Sequence, residues 1–539
     1  MAKTDNPSID IPPSSSPTRY TRYRTWLLTA LCALCAGLVA SLVTTLVMGI
    51  LRLFAGIPTP VELFGDFLLK RLDANTFTGF LIRFAPNSKT TPLGLTLLAM
   101  IAVGTLLSLV YAALIRIPLP TGTYRPGRRE WITAIALGLV LALIAILLFH
   151  EDVRQNQFGF IIFWSTVLSS IGLLADFVAY GVVLCLAYRV LLPKQGSVGS
   201  PVQGRRLLLS RAGVAALGVG AGVGTLGAVK GFLAHYASYD GFKTFNPGHI
   251  TPEITPNTLH YVVTQNTVDP SPNIDLWRLE VTGLIRNPGI YTFDEAQQLP
   301  STSRAITLEC ISNGPGGHLM STAIWQGVPF SSLLQRHGGA LSNATHVAFS
   351  SVDGYTVSQP LNEVLSVNTL LAWRMNGAEL PIRHGYPMRV LIPGHYGEES
   401  AKWLTRIELT DHFVGGLYSD QGWYNGPIHI TSRIDIPTER VPVGQQTEVG
   451  GVAYGGSNGI QKVEVSTDGG TTWNTATLQP PLSQNAWVLW TWQWTPTQAG
   501  MYTLVVRCTD GTGQVQTSTV QSTVPDGGEG YHKVKVTVA

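Results

Sequence analysis

Thr307-Leu308-Glu309-Cys310-Ile311-Ser312-Asn313-Gly314 sets one cysteine between a β-prone run and a loop that continues as Pro315-Gly316-Gly317. A thiolate is a soft, strongly donating ligand, and a glycine-rich loop lets backbone approach a bulky group closely. The stretch reads as a thiolate ligand at a strand end. Taken alone it also describes a buried small hydrophobe, the commoner role of a lone cysteine in an apolar strand. The flanking sequence has to choose.

The chain has 539 residues, 45% of them hydrophobic and only 13% charged, which is too long for one core and too apolar for a purely soluble protein. Part membrane and part globular is the expectation. A net charge of +3, with no basic run interleaved with aromatics, argues against a nucleic-acid partner. Cys32, Cys35 and Cys185 lie in apolar runs, which leaves Cys310 and Cys508 in the globular part and implies no disulfide framework. Cys32 and Cys35 have CxxC spacing, but without a second pair or a histidine; helix packing is the stronger reading than metal or redox chemistry.

Residues 1–24 are rich in Pro, Ser and Thr and read as a disordered cytoplasmic lead. Residues 25–233 read as a membrane domain. Trp26–Phe54 is long enough to cross a hydrocarbon core of about 30 Å, and runs near Leu93–Ile115, Trp131–Phe149, Phe160–Tyr188 and Leu207–Leu233 make five spans. Arginines and lysines concentrate in the lead and in the second and fourth loops, which puts the N-terminus inside and everything after about Leu233 outside. Arg205-Arg206-Leu207-Leu208 before the Gly-rich fifth span resembles an internal twin-arginine export signal; a plain positive-inside anchor explains it equally well. Histidines occur only at the span edges, His150 and His235, so no intramembrane haem is expected. Asp176 is the one acid deep in a span, either a functional group or a packing hydrogen bond with Tyr180 as its partner.

Residues 234–272 read as a linker and the start of the globular half. Asp275–Gly283 alternates as a half-buried strand, and Thr292 caps a short helix. Strands and helices then alternate irregularly over 273–433, which implies α+β. Over 434–539 the pattern is all strand, with Asp468-Gly469-Gly470 as a hairpin turn, and predicts a β-sandwich. Trp490, Trp492 and Trp494 share one face, as a core or interface stripe rather than a ligand cage.

The motifs on either side of Cys310 now decide. Cys310 with Asn313, Trp325-Gln326-Gly327-Val328-Pro329, His384-Gly385-Tyr386-Pro387-Met388-Arg389 and Lys402-Trp403-Leu404 resemble, in order and spacing, the molybdenum- and pterin-binding segments of the sulfite oxidase family. Gly455-Gly456 through Asp468-Gly469-Gly470-Thr471-Thr472-Trp473 is similar to the immunoglobulin-like dimerisation domain that closes members of that family. The resemblance covers roughly Leu259 to Ala539. The whole chain is then an all-α transmembrane bundle, an α+β molybdopterin domain and an immunoglobulin-like sandwich.

The resemblance implies a molybdenum–molybdopterin cofactor with Cys310 as metal ligand, and contacts from Thr264, Asn266, Asn313, Asp353, His384, Arg389 and Lys402. It also implies a homodimer; no segment resembles a haem-binding cytochrome domain, so no haem and a separate electron carrier are expected. The family's substrate-binding arginines correspond here to Thr264 and to the neighbourhood of Gly314-Pro315, and its active-site tyrosine to Trp423 or Tyr424. Without those charges a small oxyanion loses much of its attraction. The expected function is oxygen-atom transfer by a multi-pass plasma-membrane enzyme with its catalytic domain outside the cytoplasm. Sulfite oxidation is the family-level reading; reduction of a neutral S-oxide or N-oxide, or a non-catalytic membrane-anchored binding protein, are the alternatives.

Overall fold

The computed structural model describes residues 19–72, 76, 79, 90–121, 125–154, 162–194, 201–236, 248–266 and 268–539. Most of the expected disordered lead, the side chains of Arg205 and Arg206, and residues 237–247 of the expected linker lie outside the described residues. Two compact units divide the chain, one of Met1–Ile50, Leu97–Ala145 and Leu173–Val229, the other of Leu51–Thr96, Ile146–Gly172 and Lys230–Ala539.

The apolar runs form helices α1 (Arg19–Ala55), α2 (Pro60–Leu69), α3 (Thr90–Ile115), α4 (Arg128–Leu148), α5 (Ile162–Leu191) and α6 (Pro201–Tyr236). Five of these, all but α2, are long and apolar enough to cross a membrane. In the first unit small residues bring helices close, since a Cβ on Gly104 would meet Ser41 and one on Gly181 would meet the Ala134 carbonyl. Cys32 donates to the Leu191 carbonyl at 3.5 Å, and Cys32 and Cys35 are both free thiols. Asp176 is 1% exposed, with Oδ1 unpaired; Tyr180, its expected partner, donates instead to the Gly104 carbonyl.

The globular half is built on β1 (Leu279–Gly283), β2 (Gly289–Tyr291), β3 (Thr302–Glu309), β4 (Met320–Pro329), β5 (His346–Ser351), β6 (Thr356–Pro360), β7 (Leu370–Met375), β8 (Ala378–Glu379), β9 (Arg389–Leu391) and β10 (Leu404–Thr410). One sheet has the order β2-β1-β10-β5-β6 and the other β3-β4-β7-β8, with β9 also on β7. Only β1–β10 is a parallel pair here, and the short helices α7 (Phe293–Gln297), α8 (Phe330–Arg336) and α9 (Leu361–Ser366) fall between strands. Mixed α+β follows, as the irregular alternation predicts.

The predicted strand from Asp275 starts later, at Leu279. Asn273 holds Asp275 through its side chain and Trp277 through its carbonyl, so this segment turns instead of extending. Trp277 then buries its ring and donates Nε1 to the Leu404 carbonyl at 3.0 Å. Thr292 caps α7 through a reciprocal pair with Glu295.

The C-terminal region is β-rich. A sheet of Thr431–Ile436, Thr447–Tyr454, Val488–Trp494 and Thr477–Leu478 shares a core with one of Arg440–Val441, His532–Val538, Gly500–Asp510, Ile460–Ser466 and Asn474–Thr475. Trp490 and Trp494 are buried in that core and Trp492 packs against it, which takes the tryptophan stripe away from any outer interface. This region also braces β3. Tyr454 donates its hydroxyl to the Thr307 carbonyl at 3.0 Å, and the Trp487 N–H donates to Thr307 Oγ1 at 2.8 Å. The strand that presents Cys310 is therefore held from both sides.

Candidate functional site

β3 ends at Glu309, and the chain then turns sharply. The Asn313 N–H donates to the Cys310 carbonyl at 2.8 Å, the Asn313 amide group donates to Glu309 Oε1 at 2.8 Å, and its Oδ1 accepts from the Leu319 N–H at 2.9 Å. Asn313 thus shapes the loop from within and lies outside the cleft lining. A Cβ on Gly317 would strike Asn313 Oδ1, so this loop closes only with glycine there.

Cys310 opens onto a cleft of about 810 Å³ of empty space, counted out to its mouth. The sequence-predicted residues Thr264, Cys310, Asp353, His384, Arg389, Lys402 and Trp423 all line it. They arrive from distant parts of the chain: the loop before β1, the end of β3, the turn after β5, the turn before β9, β9 itself, the segment leading into β10 and the loop that follows β10. Besides Asn313, two others do not face the cleft. Asn266 spends its amide on Asp353 Oδ2 at 2.6 Å, and Tyr424 stacks on His429 and packs edge-on to Tyr396 in a neighbouring core.

The charge at one part of the cleft is unusual. Arg389 is 3% exposed; it donates to the His384 carbonyl at 3.0 Å and the Ser400 carbonyl at 2.9 Å, and its Nε is buried without a partner. No carboxylate pairs with it among the described residues, and the guanidinium lies 5.2 Å over the Trp325 ring. Burial lowers Arg389 to about 10, which still leaves it charged at neutral pH. Lys402 joins it at the cleft, donating to the Val263 and Arg383 carbonyls at 3.0 and 3.2 Å. A buried cation without a counter-ion costs several kcal/mol, so the fold has prepared a place for an anion.

Near Cys310 the neighbours are acids instead of cations. Burial pushes its thiol up to about 12, with the Glu398 carboxylate adding to the rise. Burial also raises Glu309 to about 8 and Glu398 well above the usual carboxylate range. Neither Glu398 oxygen makes a hydrogen bond of ordinary geometry, although the Ile311 and Glu398 amides act on it. Two imidazoles stand together, His260 and His384, with ring centroids 5.0 Å apart. Burial lowers His260 to about 3 and His384 well below its ordinary range, so both are neutral ring donors or acceptors.

His260, Tyr261, Tyr355, Glu398 and Tyr418 line the cleft without having been singled out from sequence. His260-Tyr261 sits in a turn-rich stretch with no periodicity, and Glu398-Glu399 reads as a solvated acidic turn. One signal was present: the acids fall between the apolar β9 and Ala401-Lys402-Trp403, a flank more typical of interior than of surface.

A molybdenum–pterin group fits these donors. It brings an anionic phosphate for the unpaired Arg389 and a soft metal for the buried Cys310 thiol.

Comparison with known proteins agrees. Residues 266–418 match the oxidoreductase molybdopterin binding domain, and residues 428–539 match the Mo-co oxidoreductase dimerisation domain. Among curated proteins, nitrate reductase [NADH] 2 of Phaseolus vulgaris is 30% identical over 300 residues, covering 44% of this chain and 33% of that protein. Nitrate reductase [NADH] 1 of Nicotiana tabacum is 29% identical over 286 residues, covering 42% and 32%. The chain spans about a third of the length of these relatives. Among solved structures, the sulfane dehydrogenase SoxCD of Paracoccus pantotrophus aligns over 50% of this chain and 76% of that one, with 24% identity and a TM-score of 0.46. With the molybdopterin-binding and dimerisation domains both present, in that order, the chain belongs to the sulfite oxidase family of molybdopterin oxidoreductases and is an enzyme.

Proposed function

We propose that the protein is a membrane-anchored molybdopterin oxidoreductase that transfers an oxygen atom and two electrons to or from a small neutral oxide, an S-oxide or N-oxide. The observation that carries the cofactor reading is the buried, counter-ion-free guanidinium of Arg389 in the same cleft as Cys310. When bound, the group supplies the two-electron couple for oxygen-atom transfer.

The chain's own residues do the rest. Arg389 and Lys402 hold the phosphate, and the neutral His260 and His384 rings offer nitrogen atoms to the heterocycle. Cys310 gives up its proton on loading and serves as metal ligand. Asp353, steadied by Asn266 and by the Tyr355 N–H at 3.1 Å, keeps the cleft wall in place. Tyr355, Tyr418 and Trp423 form an aromatic wall, with Tyr418 and Trp423 ring centroids 4.4 Å apart, which limits water and favours an uncharged guest.

The substrate reading rests on charge. The groups acting most strongly on the Cys310 thiol include two carboxylates, Glu398 and Glu309, and no cation. Burial holds both acids largely protonated at neutral pH, so a sulfite dianion, or the nitrate for which the plant relatives are named, finds no cation there to bind it, whereas a neutral oxide can accept a hydrogen bond from a protonated glutamate. Anaerobic stopped-flow on the molybdenum-loaded protein tests this. We expect methionine sulfoxide or trimethylamine N-oxide to reoxidise the reduced centre at least about tenfold faster than sulfite reduces the oxidised one. The reverse order returns the assignment to sulfite.

The electron donor is a separate carrier. Five spans anchor the chain, and contacts within each unit support the alternating topology. The first and third loops meet through Lys70 and Asp152 at 2.6 Å, in the unit that holds the catalytic region, and the second and fourth meet at Thr121 and Lys194. The immunoglobulin-like C-terminal region pairs with that of a second copy. With cysteines introduced as Gly127→Cys and Asp420→Cys, an impermeant maleimide on whole cells should label only the second, and light scattering of the solubilised protein should give a dimer. Equal labelling removes the topology, and a monomer removes the pairing.

A further inference from the structure

Behind the cleft wall a line of titratable side chains runs to the protein surface. Glu398, on the wall, adjoins Glu399 in a short 3₁₀ turn, and the Glu399 side chain is 2% exposed. His395 Nδ1 is hydrogen-bonded to Glu399 Oε2, and at the other edge of the same ring Glu363 Oε1 stands 3.2 Å from Nε2. The His395 side chain is 1% exposed, whereas that of Glu363, on α9, is 30% exposed. The outer contact has hydrogen-bond distance but poor alignment, so a small rotation of a partly solvated side chain makes or breaks it. Gln359 fixes the inner end, donating to Glu399 Oε2 at 2.6 Å and to Asn425 Oδ1 at 2.7 Å.

A structural ion pair needs one imidazole and one carboxylate. Here one imidazole faces two carboxyl groups, with a third beside them. Glu399 Oε1 is buried without a hydrogen bond of ordinary geometry, and no lysine or arginine is among the groups acting most strongly on Glu399. The phenols of Tyr355, Tyr396 and Tyr424 also face the line and burial keeps them protonated, while Glu309 and Cys310 act on its cleft end at Glu398. Like charges this close and this deep cannot all be ionised. At neutral pH the line therefore holds at least one proton that has neighbours to move to.

We propose that Glu363, His395 and Glu399 form a proton relay between solvent and the cleft wall beside Glu398. Reducing an oxide to water consumes two protons with two electrons, and the reverse reaction releases them; the relay rests on the oxidoreductase reading for what uses these protons. Inward, a protonated Glu363 passes its proton to His395 Nε2 while Nδ1 passes its own to Glu399. One proton enters and one leaves, no electrons move, and water-assisted proton exchange between the two ring nitrogens returns His395 to its Nδ1–H tautomer for the next transfer.

The test uses the full-length, molybdenum-loaded protein. Infrared spectra on transfer from H2O to D2O should show a protonated carboxyl C=O band that shifts on exchange and that Glu399→Gln removes. His395→Gln keeps the side chain polar but carries no proton, and should slow that exchange at least about tenfold, as should the surface change Glu363→Gln if the buried one does not fold. Turnover of methionine sulfoxide with reduced viologen should fall by a similar factor at nearly unchanged KM and recover in part with added imidazole. Exchange at the wild-type rate in both variants overturns the relay. Slowed exchange in a protein that turns over no oxide leaves the relay standing and removes the substrate reading instead.

Discussion

Cys310→Ser should give a folded, pterin-containing protein that does not turn over. The substitution barely changes side-chain volume, and β3 keeps its ladder to β4, its bond from Thr307 N–H to the Asn485 carbonyl and its brace from Tyr454. Placing a hydroxyl where a buried thiol stood costs about 1–3 kcal/mol if the group stays unpaired, less if Ser312, which already faces the thiol, accepts its proton. Melting should therefore shift by only a few degrees. Chemistry is affected far more, because a hard alkoxide or neutral hydroxyl replaces a soft thiolate. Changing a residue that merely supports a ligand commonly costs 10–100-fold, so loss of the proposed ligand should exceed about a hundredfold in kcat. Circular dichroism and metal analysis check the fold and loading. Turnover within tenfold of wild type would remove Cys310 from the metal and return it to the role of a buried hydrophobe.

What the sequence made legible divides along a physical line. Long apolar runs are local signals, so α1 and α3–α6 fall within a few residues of expectation, apart from longer ends on α6 and a start seven residues earlier on α1. The Thr292 cap and the strands around Asp468-Gly469-Gly470 are equally local. The site residues on motifs, Cys310, His384, Arg389 and Lys402, converge on one cleft because spacing within motifs carries over to space. What stayed hidden is decided by tertiary partners. Asn266 and Asp353 are 87 residues apart, and the Asn266 amide is spent on the Asp353 carboxylate. Tyr424 and Trp423 are adjacent, yet only Trp423 reaches the cleft, because the Tyr424 N–H is tied to the Pro525 carbonyl of the C-terminal region. Glu398 and Glu399 looked like a wet turn because nothing local says that His395 and Gln359 close over them. The Asp176 case is similar: Tyr180 is one turn away, but Gly104 on α3 offers a carbonyl that wins its hydroxyl.

The second large effect is expected at Arg389. Methionine there is of similar length and apolar, so Arg389→Met removes the charge while filling most of the space over Trp325. Two opposing terms act on the empty protein. The His384 and Ser400 carbonyls lose their donors, while a desolvated cation with an unpaired Nε disappears. Replacing buried charge with apolar volume is often neutral or stabilising, so the apoprotein should melt within a few degrees of wild type. Cofactor retention should not survive. A charge-assisted bond contributes roughly 1.5–3 kcal/mol, and a guanidinium facing a phosphate makes one or two, which at 1.4 kcal/mol per decade is at least about tenfold in affinity and about a hundredfold or more with two. Purified Arg389→Met should thus be folded but deficient in both molybdenum and pterin. Arg389→Lys keeps the charge without the planar fork and should retain an intermediate fraction. Full molybdenum and pterin in the methionine variant would mean that the guanidinium serves only the His384 and Ser400 carbonyls, and that the phosphate rests elsewhere in the cleft.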